Sequence, residues 1–166
     1  LVVLGFGTGC GSSPALGPEN PPREPPAFAP AVTITDNLRI PTSLVVFVPC
    51  AAGGVGEVIT VSGDLHILTH LTINDNNFTL KSHFQPQGIS GSGATTGAKY
   101  QATGVTQSTQ TGSFTNARFE FTFVNNFRMI GQGPGNNFLV HQNVHVTVNA
   151  NGVVTATHDN FSFDCK

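Results

Sequence analysis

Charged side chains make up only 10% of the 166 residues, seven basic against nine acidic, for a formal net charge of −2. So few cations leave no basic stripe to neutralise phosphates, which excludes nucleic acid as an expected partner. No apolar stretch reaches eighteen residues, so no membrane-spanning helix is expected. Phosphate-binding loops are missing too: there is no GK[ST] ending, and GQGPG at 131–135 precedes no helix that would receive a pyrophosphate. GISGSG at 88–93 starts like the G-x-S-x-G nucleophile elbow but carries Ser92 where the second glycine is required, without strand–turn–helix context. Carboxylates are scarce. Glu57, Asp64 and Glu120 read as outward-facing, placed to meet Lys81 or Arg118 as surface pairs worth little.

What the chain does contain is phenylalanine, thirteen times, and glycine, nineteen times, among many Thr, Val and Asn. That composition favours strands joined by tight turns, and the length suits one domain with a real core. AVTITD (31–36) and SLVVFVPC (43–50) read as two strands. EVITVSGDLHILTHLTIND (57–75) alternates with a period of two throughout, and its length predicts a bend or bulge at Ser62 and Gly63. NDNN (74–77) turns into FTLKSHF, GISGSGATTG (88–97) reads as a loop or twisted edge, and AKYQATGVTQST is a weaker strand. ARFEFTFVNNFRMI points Phe119, Phe121 and Phe123 inward, and FLVHQNVHVTV pairs with VVTATHDNFSFDC across Ala150-Asn151-Gly152, because Asn-Gly accepts positive φ cheaply. About eight strands with one apolar and one polar face predict a single antiparallel β-barrel over residues 31–166, with a two-sheet sandwich as the alternative.

The histidines follow this alternation. In DLHILTHLTIND Leu65, Ile67, Leu71 and Ile73 hold one parity and His66 and His70 the other, so both histidines are expected outside; His83, His141 and His145 fall likewise. Residues i and i+4 of a strand lie about 13 Å apart, too far to share a metal. A zinc site would need His66 or His70 to face His141, His145 or His83 across strands, and otherwise these are solvated imidazoles. Tyr100 and Arg128 are candidates for a barrel mouth, where a polar group would orient a ligand held among Phe119, Phe121 and Phe123.

Cys50 and Cys165 each close a strand at one end of the folded region, so a disulfide between them would tie its ends together and require an oxidising compartment. Cys10 is left over. It sits in LVVLGFGTGCGSS, which resembles the end of a bacterial lipoprotein signal peptide, with Gly7 where the family usually has Leu or Val. The resemblance implies lipid on Cys10, a membrane contact through that anchor alone, and an exported protein of the bacterial cell envelope or exterior. Residues 1–10 are then the signal remnant. Residues 11–30, with seven prolines from Pro14 to Pro30, form an extended spacer of polyproline character.

At the level of architecture the chain resembles small antiparallel barrels of the lipocalin, allene oxide cyclase and dirigent kind, although the G-x-W lipocalin motif is absent because there is no Trp. In phrases such as VVFVPC, KYQATG and HVTVNANG it is also similar to uncharacterised exported bacterial proteins. The barrel likeness implies a non-enzymatic binding module for a small apolar molecule. A second expectation is a structural subunit that self-associates by strand addition through AVTITD. A third is a barrel enzyme of cyclase or isomerase type; no catalytic constellation demands it. No cofactor is expected beyond the conditional zinc.

Overall fold

The computed structural model describes residues 30–166; Cys10 and the spacer up to residue 29 lie outside the described residues. The described chain is all-β. Nine strands, β1 (Val32–Val48), β2 (Glu57–Asn74), β3 (Asn77–Gly93), β4 (Lys99–Thr103), β5 (Thr106–Ser113), β6 (Phe119–Asn125), β7 (Arg128–Gly131), β8 (Phe138–Val148) and β9 (Val154–Cys165), form one antiparallel sheet, with a short helical turn, α1 (Ala51–Gly54), after β1. Among the described residues all nine strands belong to one sheet, whereas a sandwich needs two.

β4 and β5 lie end to end along β3, one pairing with Ser90–Ser92 and the other with Asn77–Phe84, and β7 and β6 share β8 in the same way. Each of these pairs is one rung interrupted in the middle, so rungs follow chain order across the sheet. Gly104 marks the interruption. Its φ is +99°, and a Cβ there would stand 2.0 Å from the Asn126 carbonyl oxygen, so only glycine lets the two broken rungs approach here.

Because directly opposed residues share a face, the register assigns every side chain. Ile59, Val61, Leu65, Ile67, Leu71 and Ile73 of β2 face the same way as Val48, Val46, Leu44, Ile40, Leu38, Ile34 and Val32 of β1. The run continues through Phe84, Leu80 and Phe78, is interrupted on β5 by Thr106, Ser108 and Gln110, and resumes at Phe119, Phe121 and Phe123, then Val140, Val144, Val146 and Val148. This apolar face is the inside of a curled sheet. The core sits at one end of the curl, where Val48, Ile59, Val61, Ile89, Tyr100, Ala102 and Met129 are buried against Phe127 and Phe138. Burying each large aliphatic of this group contributes about 1.5–3 kcal/mol.

The ring is only partly closed. β1 pairs with β2 alone and β9 with β8 alone, and both edges run toward the same end, where Cys50 and Cys165 form a disulfide with Cα atoms 5.5 Å apart. Away from that bridge the edges stand apart: Val32 is 56% exposed and Phe161 57%, although both belong to the inner face.

Three expectations need correction. AVTITD and SLVVFVPC are one strand rather than two, because Pro41 lies on an edge strand, where a missing N–H costs no ladder bond on the open side. Residues 88–93 are the end of β3 and not a loop; a Cβ on Gly93 would collide with the Glu57 carboxylate, so the glycines there mark close packing. The bulge falls at the expected place, between Ser62 and Asp64, but the extra residue is on β3, at Gly88–Ile89. The turns at Asn74–Asn77 and Asn149–Val153 are as read. In the second, Asn149 Oδ1 accepts from the N–H groups of Asn151 and Val153 at 2.9 and 3.0 Å.

The bridge closes a loop spanning 115 positions, worth about 3–5 kcal/mol on chain-entropy grounds. Replacing Cys50 and Cys165 together by Ser is expected to lower the unfolding free energy by that amount in guanidinium titration. An unchanged midpoint would mean that the edges are held together by something other than the disulfide.

Candidate functional site

The inner face does not fill its own curl. Beside the core lies a cavity of about 420 Å³, open to solvent and walled by Leu44, Leu65, Phe84, Ile89, Phe123 and Phe127, with Thr42, Pro86, Gly104, Thr106 and Asn125 completing it. These residues come from β1, β2, β3, the broken rungs and the segment joining β6 to β7, so the sheet must curl until β1 approaches β6. The volume lies in the range of about 300–1,000 Å³ typical of small-molecule pockets. Among the described residues no ionisable side chain lines it.

The cavity meets the buried core at Ile89 and Phe127, and within that core is a polar cluster that sequence reading missed. Glu57 is buried, and its carboxylate accepts from Tyr100 Oη at 2.8 Å, from Thr96 Oγ1 at 2.8 Å, and from the backbone N–H groups of Thr96 and Thr95 at 3.1 and 3.3 Å. These bonds tie the β3–β4 turn to the start of β2. Burial pushes the Glu57 carboxyl upward, but the Tyr100 hydroxyl and the Thr96 and Thr95 donors together outweigh it and hold the pKa below the usual 4.5. Burial first, and then the bond and charge of Glu57, push Tyr100 up to about 12. Glu57 is therefore not outward-facing. It shares the parity of Ile59 and Val61, which was the signal available in the sequence.

Tyr100 and Arg128 do not meet. Tyr100 is committed to Glu57 in the core, whereas Arg128 is exposed and alternates with buried Met129, so it points to the outer face. Phe119, Phe121 and Phe123 share the inner face; the rings of Phe121 and Phe123 stack with centroids 6.3 Å apart, and of the three only Phe123 reaches the cavity.

The histidines lie on the outer face, as their parity predicted. His66 and His70 on β2 and His141 and His145 on β8 are separated by three intervening rungs, about 19 Å at the usual strand spacing, so the structure does not bring them to one metal. Each has a local polar neighbour instead. His70 Nδ1 lies 2.9 Å from Thr35 Oγ1, His66 Nε2 2.7 Å from Asn37 Oδ1, and His141 Nδ1 2.8 Å from Asn126 Oδ1. His145 sits between Thr122 and Thr147, 3.1 Å from each, and its direct cross-strand partner is His158, a pairing that only the β8–β9 register reveals. His83 opposes Leu68 and Gln107. Among the described residues no group of three His, Cys, Asp or Glu is placed to hold a metal ion.

Comparison with protein-family models, with curated proteins and with solved structures gave no match.

The Glu57–Tyr100 pair makes stability depend on pH at both extremes. Folding lowers the Glu57 pKa, so its contribution is complete above the unfolded value near 4.5 and is lost as pH falls through the folded value. Folding raises the Tyr100 pKa, so its contribution is complete below about 10 and is lost as pH rises toward 12. Thermal unfolding followed from pH 3 to 12 is expected to show both declines. Glu57→Gln should flatten the acid limb and Tyr100→Phe the alkaline limb; limbs that persist in the variants would assign them to other groups.

Proposed function

We propose that this protein is a non-enzymatic binding module that holds a small apolar molecule inside its curled sheet. The observation that carries this reading is the open apolar cavity at Leu44, Leu65, Phe84, Phe123 and Phe127, whose aromatic walls leave about 420 Å³ of room. Removing an apolar ligand from water into such a site stabilises the complex by about 25 cal/mol per Å² covered. The protein works outside the reducing cytoplasm, a reading supported by the Cys50–Cys165 bridge. Anchoring in a bacterial envelope through lipid on Cys10 rests on the LVVLGFGTGCGSS sequence, outside the described residues.

The test is binding of a neutral apolar fluorophore, N-phenyl-1-naphthylamine. Saturable enhancement at one site per chain is expected, and Leu65→Trp, which fills the cavity from β2, should weaken it at least tenfold. Enhancement that is absent, or unaffected by Leu65→Trp, would overturn the reading.

A second reading has its own observation. β1 and β9 are long edge strands with open backbone edges and exposed Val32, Ile34, Leu38, Ile40, Phe161 and Phe163. Such edges are templates for strand addition, so self-association through β1, beginning at AVTITD, gives a structural subunit. Sedimentation across a hundredfold concentration range is expected to show mass above the monomer, with Ile34→Lys shifting the equilibrium back. A strict monomer at the highest concentration would dismiss assembly.

A further inference from the structure

From the hydrogen bonds around Asn125 we infer the chemical class of the ligand: a neutral, largely apolar molecule carrying one hydrogen-bond acceptor, a ketone, ester or ether oxygen, received by the Asn125 side-chain amide. The inference rests on the cavity reading above and narrows it.

Asn125 ends β6 and lies on the inner face opposite Thr106. Its Oδ1 accepts from Thr106 Oγ1 at 2.8 Å and from the Phe127 backbone N–H at 3.1 Å. A backbone N–H only donates, so this bond fixes which end of the amide is oxygen. The NH₂ end is left with no protein acceptor among the described residues, on a side chain that lines the cavity. It is not sealed away, because no buried side-chain nitrogen or oxygen lacks a partner among them. On a side chain that lines the cavity, this accessible amino end is in position to meet an occupant.

The remaining polar side chains in the wall have already used their protons. The Thr106 hydroxyl donates to Asn125, and the Thr42 hydroxyl donates to the Ile40 carbonyl at 3.0 Å. Asn125 Nδ2 is thus the one side-chain donor among the lining residues still free to serve a ligand. An acceptor that reaches it gains a bond in apolar surroundings; a hydrocarbon leaves it unmet. A carboxylate would lose its hydration against Leu44, Phe84 and Phe123 with no cation in the wall to replace it. An ammonium would find no carboxylate there either. Neutrality and a single acceptor follow from the same set of residues.

The experiment is displacement of N-phenyl-1-naphthylamine from the full chain by undecane, 2-undecanone and undecanoate at neutral pH. The ketone is expected to compete about 3- to 10-fold better than the hydrocarbon, as one net hydrogen bond allows, and the carboxylate worst. Asn125→Asp keeps an oxygen for Thr106 and Phe127 while removing the donor, so the ketone's advantage over undecane, read as the ratio of the two affinities within the variant, should vanish. As a check that needs no variant, the Asn125 side-chain amide resonances should shift with 2-undecanone and not with undecane. Equal competition by ketone and hydrocarbon in the wild type, a ketone preference that survives Asn125→Asp, or tightest binding of undecanoate would overturn the acceptor inference while leaving the cavity in place. Failure of all three ligands and of the fluorophore would remove the cavity reading itself.

Discussion

Directly opposed residues in an antiparallel sheet share a face, and that constraint governs the whole molecule. Most strands alternate apolar and polar residues, all-polar β5 being an exception, but alternation in one strand is useful only if the next strand is in phase with it. The register here keeps phase from Val32 on β1 through Ile73, Phe78 and Phe119 to Val148 on β8. A slip of one residue anywhere would carry a strand's aliphatics outward and its threonines and histidines inward. Where the chain does insert a residue, at Gly88–Ile89 opposite Gly63, the bulge changes parity, and the residues on either side adjust to it: Gly91 and Ile89 are odd-numbered inner positions, Pro86 and Phe84 even-numbered ones.

A sheet in phase over its whole width then has an apolar face to hide, and curling is the solution available to a single layer. The curl is tightest where it is fastened. At the disulfide end, Val48 on β1 and Met129 on β7 belong to one buried core, and the Glu57–Tyr100 bond stitches the β3–β4 turn across it. A buried carboxylate without a cation is tolerable only when its lone pairs are met by donors, and four donors meet this one. Farther from the bridge nothing fastens β1 to β9 among the described residues, and the inner side chains of both edges are exposed. The gradient from packed to open along the strand direction is what leaves a cavity beside the core.

Much of this was legible in the residues. Period-two patterning assigned the faces of the histidines and phenylalanines, Asn-rich turns located the hairpins, and cysteine placement gave the bridge. Other features were obscured for definite reasons. Glu57 shared the inward parity, but charge argued for solvent, and its donors come from Thr95, Thr96 and Tyr100, about forty positions away. The phase is kept across the Asn126–Phe127 interruption, so Arg128 falls on the parity opposite Phe119, Phe121, Phe123 and Met129, and its outward position was a signal the residues did carry against a place at a barrel mouth. The β8–β9 hairpin was legible from Asn151-Gly152, but setting His158 opposite His145 needed its exact register, which shifts between Thr147 and Val148. Periodicity also says that a face is apolar without saying how far the sheet will curl over it.

The broken rungs connect the fold to its site. Had β4 and β5 continued without Gly104, an ordinary side chain would have met the Asn126 carbonyl and pushed the β6–β7 junction away. With glycine in place the junction comes close, Asn125 falls opposite Thr106, and the chain turns so that the Phe127 N–H points back to Asn125 Oδ1. The same interruption that ends the ladder therefore fixes the amide of Asn125 and opens the wall of the cavity beside it. The parity of β6 already faces Asn125 inward, and the break sets which end of its amide is held: the oxygen is taken by Thr106 and the Phe127 N–H, and the proposal of an acceptor-bearing ligand rests on the amino end that is left.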